Sequence, residues 1–285
     1  MTAPLSAFAG IADRYDGFIF DVWGTLYDGG NAFPGALETV KALAERDKKI
    51  LVLSNSPRIP VIVGERLKAI GFELGWFTEI VTSGGMVADI VGGRRDAASA
   101  ALGERVLWLG QERFPDTVPA GSFTVVQDAG EADWVLNAGP EISETRLEDF
   151  ETVLSASAKR NLPMICANPD KSVLQSGARL LCAGVMAERY EEMGGPVRYF
   201  GKPYPEIFAR CLDRIGLPAD RVLVVGDNLE TDILGANRTG IDSLLLGCGI
   251  HAVALAEAGG AGEGLVSLVA SHGARPTYFS DALVW

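Results

Sequence analysis

Val222-Leu223-Val224-Val225-Gly226-Asp227-Asn228-Leu229-Glu230-Thr231-Asp232 is the most informative stretch of the 285-residue chain. Four consecutive apolar residues predict a strand buried on both faces, as in a parallel sheet covered by helices. Two carboxylates five positions apart follow it, and the small residues Gly235 and Ala236 continue as a helix. Acids gathered at a strand end suit Mg2+, a hard cation that takes oxygen ligands and keeps several waters. The same acids also fit the start of any helix, where they face the positive end of its dipole.

The strand pattern recurs on both sides of this stretch. Short apolar runs stand at Gly17–Phe20, Ile50–Leu53, Ile80–Val81, Val106–Leu109, Trp134–Leu136, Met164–Cys166 and Ser243–Leu246, each bounded by Gly, Asp, Asn or Ser. Helical patterns lie between them. Pro34 to Asp47 places Leu37, Val40 and Leu43 on one face, and Pro205 to Gly216 places Ile207, Phe208, Cys211, Leu212 and Ile215 likewise. Proline near the first turn and glycine at the stop are the expected punctuation. These stripes are read as core. Alternation of strand and helix defines an α/β fold with a doubly wound parallel sheet. Ser83–Gly85 and Asn168–Gly177 are polar and Gly-rich, so residues 84–178 are expected to form an insertion into a core made of residues 1–83 and 179–285.

Composition narrows the function. With 48% apolar residues the chain can bury a substantial core, and a net charge of -12 without a basic run disfavours nucleic acid and anionic membranes. Met1–Gly17 does not read as a signal peptide, and the longest apolar stretch, Ser243–Ala256, is broken by Gly247, Gly249 and His251. Cys166, Cys182, Cys211 and Cys248 form no CxxC pair, and His251 and His272 are the only histidines. A disulfide scaffold, a zinc ribbon and a Ser-His-Asp triad are all disfavoured. The expectation is a cytoplasmic protein whose chemistry runs on carboxylates.

Three further motifs sit where ligands bind. In Phe20-Asp21-Val22-Trp23-Gly24-Thr25-Leu26 an acid follows an apolar strand, and Gly24 allows close approach of the backbone to an anion; alone, this also reads as a turn. In Leu53-Ser54-Asn55-Ser56-Pro57 a hydroxyl and an amide stand at a strand end, suited to phosphate or equally to helix capping. In Gly201-Lys202-Pro203 a lysine with a restricted backbone could supply a point charge or hold Asp21 ionised; it also reads as a surface lysine.

In this order and spacing the four motifs resemble those of the haloacid dehalogenase-like superfamily over essentially the whole chain. The gap from Asp21 to Ser54 leaves no room for a cap, whereas the gap from Asn55 to Lys202 does. That placement resembles the class IIA branch with a type C2 cap, which includes phosphatases of several small phosphorylated metabolites; Ala167-Asn168-Pro169-Asp170 is similar to its cap segment. The resemblance implies a Rossmann-like core with a smaller inserted α/β cap. It makes Asp21 the nucleophile that forms an aspartyl-phosphate, and gives phosphate oxygens to Ser54 and to N–H groups near Gly24 and Asn55. Lys202 would screen charge, and Mg2+ would be held by Asp21, Asp227 and the Trp23 carbonyl, with Asp232 behind them. Asn168 and Asp170 are the candidates for substrate contacts from the cap. It implies a small phosphorylated metabolite as substrate and pairing of two copies through the cap.

One position departs from the pattern. The resemblance calls for an aspartate two after the nucleophile, which protonates the leaving group and activates water, and here it is Trp23. General acid–base help is worth roughly 10²–10⁴-fold, so turnover should be slow while metal binding survives. Asp28 is a candidate substitute, or a turn acid before Gly29-Gly30. Two alternatives follow: a phospho-ligand binder without catalysis, and a dehalogenase, in which an aromatic residue does stand at this position.

Overall fold

The computed structural model describes residues 3–5, 7–141, 146–175, 178–257 and 263–285. Among these, the main sheet has seven parallel strands in the order Ala3–Pro4, Tyr278–Ser280, Asp242–Leu246, Val222–Gly226, Gly17–Phe20, Lys49–Ser54, Glu79–Thr82. From Gly17–Phe20 the chain builds outward in one direction, and after a long excursion it returns on the other side with Val222–Gly226. The reversal of strand order therefore falls between these two strands, and a crevice opens at their carboxyl ends.

Side-chain alternation explains why the strand interiors are mainly apolar. Phe18, Phe20, Ile50, Val52, Leu223 and Val225 point to one face and pack with Val40, Leu43 and Leu67 of the helices Ala36–Ala44 and Pro60–Ala69. Ile19, Leu51, Leu53, Val222 and Val224 point to the other, against Ile207, Phe208, Cys211 and Ile215 of the helix Pro205–Ile215. Period two on a sheet covered on both sides leaves the central strands Gly17–Phe20 and Val222–Gly226 without a polar side chain, and polar residues of their neighbours stand at or near strand ends. Gly216 ends the second helix with φ of 66°, the left-handed conformation anticipated for that glycine.

The excursion carries a second parallel sheet of five strands in the order Val197–Tyr199, Met164–Cys166, Trp134–Asn137, Arg105–Leu109, Thr124–Val126. One face joins the apolar layer under the main sheet through Val106, Trp134, Leu136 and Ile165, together with Met86, Val87 and Val91. The other face packs on Leu154, Ala183, Ala187 and Tyr190. All eight strands expected from the sequence are present. The boundary at 178 needs correction, because helix Ala183–Glu192 and strand Val197–Tyr199 belong to the second sheet. Asn168–Gly177, expected to mark the end of the insertion, contains the strand Ser172–Gln175, which pairs antiparallel with Ala178–Leu181, with residues 176 and 177 outside the described set. Three- and four-residue strands that mix Arg, Ser and Gln with apolar residues carry too little periodicity to be read from composition. No helix among the described residues is long and apolar enough to cross a membrane.

Candidate active site

Strand register places the first two carboxylates. Phe20 lies opposite Val225, and the Asp21 N–H donates to the Val225 carbonyl at 2.9 Å, so Asp21 and Asp227 leave neighbouring strands together. Beyond Asp227 the Asn228 side chain accepts the Glu230 N–H at 2.8 Å and starts the wide helical turn Leu229–Ile233. That turn brings Asp232 back toward the sheet. One oxygen of each of Asp21, Asp227 and Asp232 falls within 4.8 Å of the others. Two glycines allow loops to close on Asp227: a Cβ on Gly24, whose φ is 84°, would lie 2.0 Å from its Oδ2, and one on Gly249 would lie 1.9 Å away. The Ile250 N–H donates to the same oxygen at 2.6 Å.

Lys202 reaches this cluster from the strand returning out of the second sheet. Its ammonium donates to Asp21 Oδ1 and, at 2.7 Å, to Asp232 Oδ1. The Asn55 side chain fixes its backbone: Oδ1 accepts the Lys202 N–H at 2.7 Å, and Nδ2 donates to the Lys202 carbonyl at 3.0 Å and to Asp170 Oδ1 at 2.8 Å. Asp21, Asn55, Lys202 and Asp232 are buried, Lys202 at 2% and Asp232 at 1% exposure, and Asp170 is half-buried. Burial alone would push the Lys202 ammonium down, but Asp21, Asp232 and Asp170 hold it above its ordinary value. Burial raises the Asp21 carboxyl well above the usual range, against the pull of Lys202, with Asp232 and Asp227 adding to the rise. Burial and then the neighbouring Asp232 bring Asp227 up to about 7. Three carboxylates facing one ammonium are short of positive charge, and every donor is a hard oxygen. This set fits a divalent cation of the Mg2+ type.

Above the cluster lies a cavity of about 280 Å³. Ser54, Asn55 and the charged residues form its floor, while Phe114, Gly139, Pro140 and Cys182 come from the second sheet's side. Trp23 stands on its wall, half-buried, its ring edge-on to Tyr27 at 4.7 Å between centroids. The Arg66 guanidinium lies over both rings, 5.9 and 5.7 Å from their centroids. Arg58 crosses to the second sheet's side, pairing with Asp116 at 2.6 Å, bonding the Arg113 carbonyl and covering the Phe114 ring.

The structure thus brings together Asp21, Ser54, Asn55, Lys202, Asp227 and Asp232; two expectations change, and of the two readings left open for Asp28 the turn acid is the one observed. The Gly24 N–H donates to the Tyr27 carbonyl at 2.9 Å, so it is not presented to an anion, and this glycine instead makes room for Asp227. Asn168 Oδ1 accepts the Asp170 N–H at 3.0 Å within a turn. Asp170 holds Asn55, so both line the cavity chiefly as scaffold. Asp28 accepts the Gly30 and Asn31 N–H groups, each at 2.7 Å, which hold its carboxyl below the usual range. It is the turn acid. Sequence reasoning missed Arg58, Arg66, Arg113 and Phe114. Arg58 stands four residues after Ser54, directly behind that motif, which was a usable signal; the others are assembled only by tertiary packing.

The family model for haloacid dehalogenase-like hydrolases matches residues 15–240. An acid sugar phosphatase of Staphylococcus epidermidis is 24% identical over 239 residues, covering 83% of this chain and 88% of the relative. A haloacid dehalogenase-like hydrolase from Brucella suis superposes with a TM-score of 0.84 at 27% identity, over 98% of this chain and all of that one. A glycerol phosphate phosphatase from Mycobacterium tuberculosis, solved in complex with magnesium, gives 0.68 at 27% identity, over 95% and 76% of the two chains.

Proposed function

This chain belongs to the haloacid dehalogenase-like hydrolases, and we propose from that premise that it is a Mg2+-dependent phosphatase acting on a small phosphorylated metabolite through an aspartyl-phosphate on Asp21. The carrying observation is the buried cluster of Asp21, Asp227, Asp232 and Lys202 at the reversal of strand order, opening into a cavity of metabolite size. The curated relatives include phosphatases of small phosphorylated compounds. Asp21, Asp227 and the Trp23 main-chain carbonyl would hold the ion. When bound, Mg2+ supplies positive charge that offsets repulsion between a phosphate dianion and the Asp21 carboxylate.

The chain's own groups account for the rest. An Asp21 oxygen attacks phosphorus. Lys202, held by Asn55 and Asp232, keeps its positive charge beside that oxygen without needing to reorganise. The Ser54 hydroxyl, buried at the end of its strand, binds a phosphate oxygen, joined by the Asn55 N–H. Asp232 positions Lys202 rather than touching substrate. Trp23 carries no transferable acidic proton, so turnover is slow; this residue is also what favours a second reading, a phospho-ligand binder that does not turn over. Dehalogenation needs no metal ion and has no use for Asp227 as a ligand.

Release of p-nitrophenol from p-nitrophenyl phosphate tests the proposal. It should require Mg2+, stop with EDTA, and fall at least about 10³-fold in Asp21→Asn. Undiminished turnover in folded Asp21→Asn would overturn covalent catalysis at this position. Phosphate binding without turnover would select the second reading.

A further inference from the structure

Every ionisable side chain on the cavity wall can be asked whether it protonates a leaving group. Trp23 occupies the position beside the nucleophile from which the family pattern would deliver that proton, and an indole N–H does not supply it. Asp28 is exposed and has one oxygen committed to two backbone N–H groups, which keep it ionised. Asp170 is tied to the Asn55 amide. Lys202 is shared between Asp21 and Asp232. The Cys248 thiol is directed at the Gly24 carbonyl, 3.8 Å away. Asp21, Asp227 and Asp232 belong to the reacting and ion-holding cluster. Cys182 is buried against the second sheet's side. None of these is placed as a general acid.

What the wall does offer beside Trp23 is a positive charge. Arg66 lines the same cavity and lies over the Trp23 and Tyr27 rings. It has no carboxylate partner among the described residues, unlike Arg58, which is paired with Asp116. Arg66 is exposed, and a guanidinium over an aromatic face keeps its N–H edge open to a ligand.

Resting on the phosphatase reading above, we propose that this site is selective for activated phosphates, acyl phosphates and phosphoanhydrides, whose leaving group departs as a stable anion and meets Arg66 instead of an acid. In the first step the Asp21 carboxylate oxygen forms a bond to phosphorus. The bond from phosphorus to the leaving oxygen breaks, and that oxygen keeps the electron pair as carboxylate or phosphate, taking no proton. In the second step water adds to phosphorus, the bond from phosphorus to Asp21 breaks, and the surplus proton of water ends on a phosphate oxygen. Asp21 is itself a good leaving group, so this step lacks only a base. The phosphoenzyme therefore accumulates.

The test compares kcat/KM of the Mg2+-loaded wild-type protein on acetyl phosphate, p-nitrophenyl phosphate, phenyl phosphate and glycerol 3-phosphate. The values should fall in that order, with at least about a 10²-fold span between the first and last, since general acid help of that size is missing. Acetate or p-nitrophenol should appear in a burst stoichiometric with enzyme. Trp23→Asp should raise the glycerol 3-phosphate rate and flatten the series, and Arg66→Met should lower kcat/KM for acetyl phosphate about tenfold, with Arg66→Lys restoring part of it. Equal rates on acetyl phosphate and glycerol 3-phosphate in the wild-type protein overturn the proposal while leaving the phosphatase reading intact, and need no variant to fold. Absence of release from all four substrates, burst included, overturns both.

Discussion

Asp21, Lys202, Asp227 and Asp232 at the floor of the cavity are all less than a tenth exposed, and each makes at least one hydrogen bond to another group of the floor or its loops. The wall on the second sheet's side is built differently. Around Phe114 its polar ties to the main-sheet side run through Asp116, which pairs with Arg58 (side chains 16% and 31% exposed) and accepts the Ile59 N–H at 2.7 Å, and through the Thr117 hydroxyl, which donates to the Pro57 carbonyl at 3.0 Å. Breaking one partner of a buried charge cluster costs about 3–5 kcal/mol, because the other charges stay buried. A partly exposed pair is worth up to about 1 kcal/mol and is screened by salt. The floor is therefore pre-organised for one chemistry, whereas the wall can adjust to its ligand.

Substitutions that treat the two regions alike should show this difference. Lys202→Met should have the largest effect, lowering turnover of p-nitrophenyl phosphate by at least about 10³-fold and the melting temperature by roughly 5–10 °C, read by steady-state kinetics and thermal unfolding. A loss below tenfold would show that the floor does not depend on its ammonium.

The acid content of the floor gives a pH signature. Asp227 titrates at about 7 in the fold against 3.8 ordinarily. Between those values Asp227 binds more protons in the folded protein than in the unfolded chain, so this group contributes stability that grows as pH falls from 7 toward 4, while burial holds His251 down to about 4 and makes it contribute the opposite change below 6.5. Mg2+ needs the carboxylate, so saturating Mg2+ should raise the melting temperature by about 5 °C at pH 8 and by clearly less at pH 5.5. An equal shift at both pH values would remove Asp227 from the ion's ligands.

Arg58→Ala should have the smallest effect. Loosening the wall should raise KM a few-fold, leave kcat within about twofold, and cost up to about 1 kcal/mol in denaturant unfolding. A fall in kcat matching that of Lys202→Met would erase the distinction between floor and wall.

The same division separates what the sequence discloses from what it hides. The floor requires particular residue types at strand ends, and a buried strand followed by Asp227 and Asp232 is visible without coordinates. Eight strands, five in the main sheet and three in the second, were legible for a related reason, since burial on both faces leaves apolar runs. The wall has no such constraint. Arg66 meets Trp23 because a helix packs beside a loop, and Phe114 is brought in by a chain segment more than fifty residues beyond Ser54. The role of Gly24 was misread, and the tie of Asp170 to Asn55 not foreseen, for the same reason. A glycine that clears space for Asp227 and one that offers its N–H to an anion look identical in sequence, and only the partner distances separate them.

The central claim is that Asp21 carries the phosphoryl group. Acid-quenching the Mg2+-loaded protein during turnover of acetyl phosphate and mapping the adduct by peptide mass spectrometry tests it most directly. The account predicts one added phosphoryl group on the peptide containing Asp21, labile to hydroxylamine and absent from Asp21→Asn. Phosphate release with no adduct at any time point, or an adduct on another residue, would contradict it.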